Sequence, residues 1–206
     1  MTRSRVAKIV VDTNVFIETL EKSLTELEGR DLRDPCRYAI EMLRKMIMSA
    51  CDALAPSQYV HLMPRQIDEV ARWVMVNVCE RKGGVAEDIR VIFSYALRLS
   101  SNLGKGFRYV KRSEVRSEER LLTRRYGRVQ RQVTSISDEV DRAILYFALG
   151  KGAKGASIKV ITMDEELTNK LLSKTGELGI RRRVLVKLVK PEEISLQNLG
   201  PLLRDP

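Results

Sequence analysis

Apolar residues recur along this chain with two periods. Short runs rich in β-branched residues stand at Ala7–Val11, Ser57–Leu62, Ile158–Thr162 and Arg183–Val189, and they predict four buried strands. Between them the apolar spacing lengthens to three and four residues. This predicts helices over Val15–Glu28, over Pro35–Cys51, over a stretch opened by Pro64, over Val85–Ser101, over Asp138–Leu149 and over Asp164–Lys174. Ser113 to about Gln132 is also helical in pattern but very basic. Loops are expected at Gly29–Asp34, at Gly83–Gly84, at Asn102–Arg112, at Thr134–Ser137 (Ser137 being a plausible N-cap) and at Gly150–Ser157. Alternating strands and helices imply an α/β domain with a parallel sheet covered on both faces. A chain of 206 residues is long enough for one such core, and no internal repeat divides it.

In a parallel sheet, ligands meet the carboxyl ends of the strands. That rule selects the acids that matter. The runs IVVDTN and VITMD end in Asp12 and Asp164; PRQIDEV carries Glu69, with Asp68 beside it, in a first helical turn; SDEVDRAI carries Asp138 and Asp141 in another. All fall on one sheet edge. Carboxylates gathered there repel one another unless a cation lies between them. Asp141 is on the side of Ile144, Leu145 and Ala148, the apolar face, so it is favoured over Asp138 as the third acid, with Asp138 kept as the alternative. Oxygen donors of this kind suit Mg²⁺ or Mn²⁺. Zinc is not expected, because His61 is the only histidine and no CxxC occurs.

Charge adds a partner. Lys and Arg number 37 against 27 Asp and Glu, a surplus of ten that ion pairing alone does not account for. A polyanion is implied, nucleic acid before membrane. No run of about 20 apolar residues or secretory signal pattern is present, so a cytoplasmic protein is expected. Cys36, Cys51 and Cys79 read as reduced core residues.

The segments VVDTNVFI (10–17), MPRQIDEV (63–70), DRAILYFAL (141–149) and VITMDEEL (160–167) together resemble, in order, the four motifs of PIN-domain nucleases. The resemblance implies a Rossmann-like α/β/α sandwich forming a single domain over 1–206. It implies Mg²⁺- or Mn²⁺-dependent endonucleolytic hydrolysis of single-stranded RNA by an activated water, leaving a 5′-phosphate and a 3′-hydroxyl. Asp12, Glu69, Asp141 and Asp164 carry over as catalytic, metal-holding acids, and Asn14 and Thr162 as supporting polar residues. Attack by a 2′-hydroxyl would usually enlist a pair of acid–base groups, which His61 alone cannot supply. A homo-oligomer, and a partner protein in RNA processing, are further expectations of the resemblance.

Compact VapC-type toxins are shorter. Here a helical, basic insertion at about 80–136 separates the second and third acid motifs, and in this the chain is similar to the archaeal RNA ligase partner group. From Lys105 to Arg131 there are ten Lys or Arg residues. Lys111, Arg112, Arg116, Arg120, Arg124, Arg125, Arg128 and Arg131 are the RNA-binding candidates, a stripe suited to a phosphate backbone. Phe107, Tyr109 and Tyr126 could stack on unpaired bases. The alternative is a solvated face in which Glu114, Glu118 and Glu119 pair with those arginines. Three other functions compete: a VapC-like toxin, a non-catalytic RNA-binding scaffold, and a flap-type DNA nuclease, whose larger acid set is not seen.

Overall fold

A computed structural model describes residues 8–26, 34–81, 83–127, 136 and 138–204. Among them, five parallel strands form one sheet: β1 (Lys8–Val11), β2 (Tyr59–Leu62), β3 (Gly106–Tyr109), β4 (Ile158–Thr162) and β5 (Val184–Leu188), in the order β3-β2-β1-β4-β5. The helices are α1 (Thr13–Thr25), α2 (Pro35–Ala53), α3 (Gln66–Asn77), α4 (Val85–Leu103), α5 (Arg112–Arg125), α6 (Glu139–Ala153), α7 (Glu165–Glu177) and α8 (Leu196–Arg204). They cover both faces of the sheet, which makes a Rossmann-like α/β/α sandwich.

The period of two along β1 decides which side chain enters which layer. Ile9 and Val11 join a core with α1, α2, α3, α4 and α8. Val10 points the other way, into a core with α5, α6 and α7. All three are at most 1% exposed. This is why β1 lacks polar alternation: a central parallel strand has no solvent face. Helix α6 is buried almost all round because it packs between α5 and α7. Gly150 lets α5 approach; a Cβ there would lie 2.5 Å from Glu118 Cβ.

Several sequence expectations change. The Asn102–Arg112 loop contains β3, so the segment at about 80–136 supplies an edge of the sheet as well as α4 and α5. Helix α1 starts at Thr13, earlier than expected. Asp138 caps α6, its carboxylate accepting from the amides of Val140 and Asp141. Helix α6 also runs on to Ala153, taking in part of the GKGAKGAS stretch. Cys36 and Cys79 are joined in a disulfide that ties the first turn of α2 to the end of α3; only Cys51 fits the reduced reading. The expected breaks at 29–33 and at 134, 135 and 137, and the residues Arg128 and Arg131, lie outside the described residues. No helix among the described residues is long and apolar enough to cross a membrane.

Candidate active site

The strand order reverses between β1 and β4. The chain leaves β1 toward β2 and β3 on one side, then returns to build β4 and β5 on the other. Such a switch point opens a crevice at the carboxyl ends of the two central strands. Asp12 directly follows β1, and Asp164 follows β4 by two residues. Glu69 in the first turn of α3, and Asp138 and Asp141 at the start of α6, come to the same edge, because those helices run against the strands.

Asp12 is 2% exposed. Thr162 Oγ1 donates to its Oδ2 at 2.8 Å, and the amides of Thr13 and Asn14 lie close enough to favour its charge. Burial still dominates and raises its pKa, with the Asp164 charge adding to the rise. The magnitudes explain the outcome. Taking an ion out of water costs on the order of several kcal/mol, whereas one hydrogen bond to a charged group returns about 1.5–3 kcal/mol. The Thr162 hydroxyl and the two amides together do not offset the burial of this carboxylate.

The two best-held acids are aimed by threonines in the same way. Thr162 Oγ1 accepts the Asp164 amide at 2.9 Å, so its one proton goes to Asp12. Thr13 Oγ1 accepts, at a longer 3.4 Å, from Gln66 Nε2 and donates to Glu69 Oε2 at 2.8 Å. Gln66 is itself fixed: its Oε1 accepts from the Met63 amide at 2.6 Å and its Nε2 donates to the Val11 carbonyl at 2.8 Å. Glu69 is raised by burial, with Asp138 and Asp12 adding to the rise against Thr13 and Arg65. Its neighbour Asp68 turns away and pairs with Arg90 at 3.0 Å.

Asp141 registers the whole cluster. Burial first, then the charges of Asp12, Asp138, Asp164 and Glu69, push its carboxyl up to about 7. Asp138 spends one oxygen on capping α6, and Asp164 spends one on the Leu167 amide at 2.9 Å. Asp138, Asp141 and Asp164 line one cleft of about 80 Å³ together with Glu166 and Lys170, which pair with each other. A water occupies about 30 Å³, so the cleft has room for a small ion with part of its hydration shell.

Among the described residues, no three of the His, Cys, Asp and Glu side chains are arranged to close on one metal ion. The donor set is all oxygen. His61 is no part of it: it belongs to β2, its ring 5.1 Å from that of Phe147 in α6, and burial with the nearby cations Lys8, Arg108 and Lys151 lowers it to about 3.

Sequence reasoning missed Thr13 and Gln66. Both lie inside the acid-bearing motifs, and Gln66 was readable only as a helix-start polar residue. Asn14 is exposed; its backbone amide, rather than its side chain, is what favours the charge on Asp12.

The basic helix differs from expectation on its inner face. Glu118 is 1% exposed and pairs with Lys151 at 3.1 Å and Lys154 at 2.7 Å; Glu114 pairs with Lys151 at 2.6 Å. These glutamates therefore join α5 to α6 and leave the arginines alone. Arg116, Arg120 and Arg124 are exposed and enter no ion pair with described residues; Arg112 lies 3.6 Å from Glu139. Lys111 and Arg125 are exposed, the latter 5.7 Å from the Tyr126 ring. Phe107 is buried in the core and cannot stack on a base, while Tyr109 remains exposed. Comparison with known protein families, with curated proteins and with solved structures found no match.

Proposed function

We propose that this chain is a metal-dependent endoribonuclease of the PIN type, acting on single-stranded RNA in RNA processing or turnover. The observation that supports it most is the meeting of Asp12, Glu69, Asp138, Asp141 and Asp164 at the switch point of the sheet. Asp12, Glu69, Asp141 and Asp164 would hold Mg²⁺ or Mn²⁺. Such an ion, when bound, activates a water and offsets charge on a phosphoryl group.

The residues of the chain do the rest. Thr162 and Thr13 fix the directions of Asp12 and Glu69, so those carboxylates need little rearrangement when a cation arrives. Asp138 holds the first turn of α6 and thereby places Asp141. A cation that offset the charges of Asp12, Asp138, Asp164 and Glu69 would bring Asp141 down from about 7 and leave it an ionised carboxylate able to hold the ion. The exposed arginines of α5 stand ready to track the phosphate backbone. The resemblance also proposes assembly into a homo-oligomer and association with RNA-processing proteins.

The test is cleavage of an end-labelled single-stranded RNA with Mn²⁺ or Mg²⁺ against an EDTA control. Wild type should cut, and Asp12→Asn should lose at least about 100-fold, more than the loss usual for an outer-shell residue. RNA binding without any metal-dependent cutting would replace this reading with the non-catalytic scaffold.

A further inference from the structure

Helix α6 carries two functional stripes. Asp138 and Asp141 face the acidic cleft. Glu139, Arg142, Ala143 and Tyr146, spaced by three and four residues, share a different face. With Arg112, Arg116 and Glu119 from α5 they line a groove of about 260 Å³, a quarter-turn round the helix from the carboxylates. That volume is just under the lower end, about 300 Å³, of ordinary ligand sites, a size for one nucleotide unit.

We infer that this groove is a phosphate subsite, holding one backbone phosphodiester of the nucleic-acid strand beside the acidic edge; the inference deepens the nuclease reading and rests on it. Its charge fits. Three arginines face two glutamates, leaving one positive charge for a monoanionic diester. Glu139 is already held by Arg65 at 2.7 Å as well as facing Arg112, and Arg116 and Arg142 enter no ion pair with described residues. Arginine presents a planar fork of donors that matches phosphate oxygens.

A second observation is independent of that charge. Tyr146 is 3% exposed, and its hydroxyl, shut off from solvent, has no hydrogen-bond partner among the described residues. Buried hydroxyls normally have one. Glu119 is the acceptor beside it: after burial, its charge and a hydrogen-bonding contact outside ordinary geometry push the phenol up to about 12. Tyr146 therefore keeps its proton, which a phosphate oxygen in the groove accepts in place of Glu119. Arg112 and Arg116 belong both to this groove and to the exposed face of α5, so a strand lying along α5 leads into it.

The probe is the dinucleotide ApA, which has one phosphodiester and no terminal phosphate. It is titrated into the full ¹⁵N-labelled chain in EDTA, followed by amide shifts. Shifts should centre on the facing sides of α5 and α6, and adenosine alone should give none. Tyr146→Phe and Arg116→Gln should each weaken ApA by about tenfold, as expected for a lost hydrogen bond to a charged group. Spectra matching wild type away from the groove will show that both variants fold. No ApA binding by wild type, or equal affinity in all three proteins, overturns the subsite. Tighter binding of inorganic phosphate than of ApA overturns its assignment to a strand. No metal or cleavage enters, so an inactive nuclease leaves the result standing, and an active one with normal variants sinks the subsite alone.

Discussion

The acidic edge and the basic face of α5 are close neighbours built on opposite rules. Asp12, Glu69, Asp138 and Asp164 each have an oxygen committed to a threonine hydroxyl or a backbone amide. Asp12 lies inside the protein. The arginines of α5 are exposed, and Arg116, Arg120 and Arg124 enter no ion pair with described residues. Fixed, partly buried charges have a defined geometry and a high cost of solitude; free, solvated charges have reach and adaptability. The first suits a chemical centre, the second a strand of variable sequence. Loss of one group should therefore have a steep effect at the edge and a shallow one on the helix.

The steepest expected loss after that of Asp12 is at Thr162. Thr162→Val keeps the shape and removes the hydroxyl that aims Asp12, and cleavage should fall about 10–100-fold, the range for outer-shell partners of a metal ligand. An unchanged rate would mean that Asp12 needs no orientation. On the helix, Arg120→Gln with Arg124→Gln should weaken RNA binding several-fold, leaving the rate at saturating RNA near wild type. The slope of log affinity against log salt should become shallower by about 0.7 for each phosphate of a single strand that the protein no longer neutralises. An unchanged slope would leave that face as mere solvation.

The smallest effect concerns stability. The folded pKa of Asp141 stands above its unfolded value, 3.8, at about 7. Stability from this group is complete below about pH 4 and is lost as pH rises through 7. Asp141→Asn removes the charge, so without divalent ions it should melt a few degrees above wild type at pH 8, at about 2–4 °C per kcal/mol for a chain of this size, and by less at pH 5. Thermal melts at the two pH values check this; a lower melting point at pH 8 would deny the crowding of charge.

The same contrast explains what could be read in advance. Asp12 and Asp164 were legible because an acid closing an apolar strand run has few structural excuses, and the parallel topology then puts strand ends and helix starts on one edge. Glu69 was separable from Asp68 only through the motif, and the Asp68–Arg90 pair gives the physical reason for the choice. The relay from Gln66 through Thr13 was hidden because its bonds span more than 50 residues. Strand β3 escaped because it is four residues at a sheet edge, opened by Gly106 at φ +118°, with Arg108 and Tyr109 exposed, so no apolar run marks it. Cys36 and Cys79 are 43 residues apart, with no local spacing to signal their bond. Glu118 looked like a surface charge in a basic helix, since nothing local announces that Gly150 and two lysines await it across the interface.

A nuclease of the proposed kind requires the acids at the switch point to be a place for a divalent ion. Electron paramagnetic resonance of Mn²⁺ added to the full chain tests this without substrate. Wild type should remove free Mn²⁺ from solution, and Asp12→Asn, folded by circular dichroism, should bind it at least about tenfold more weakly. Equal Mn²⁺ binding by the two proteins, or none by wild type, would contradict it.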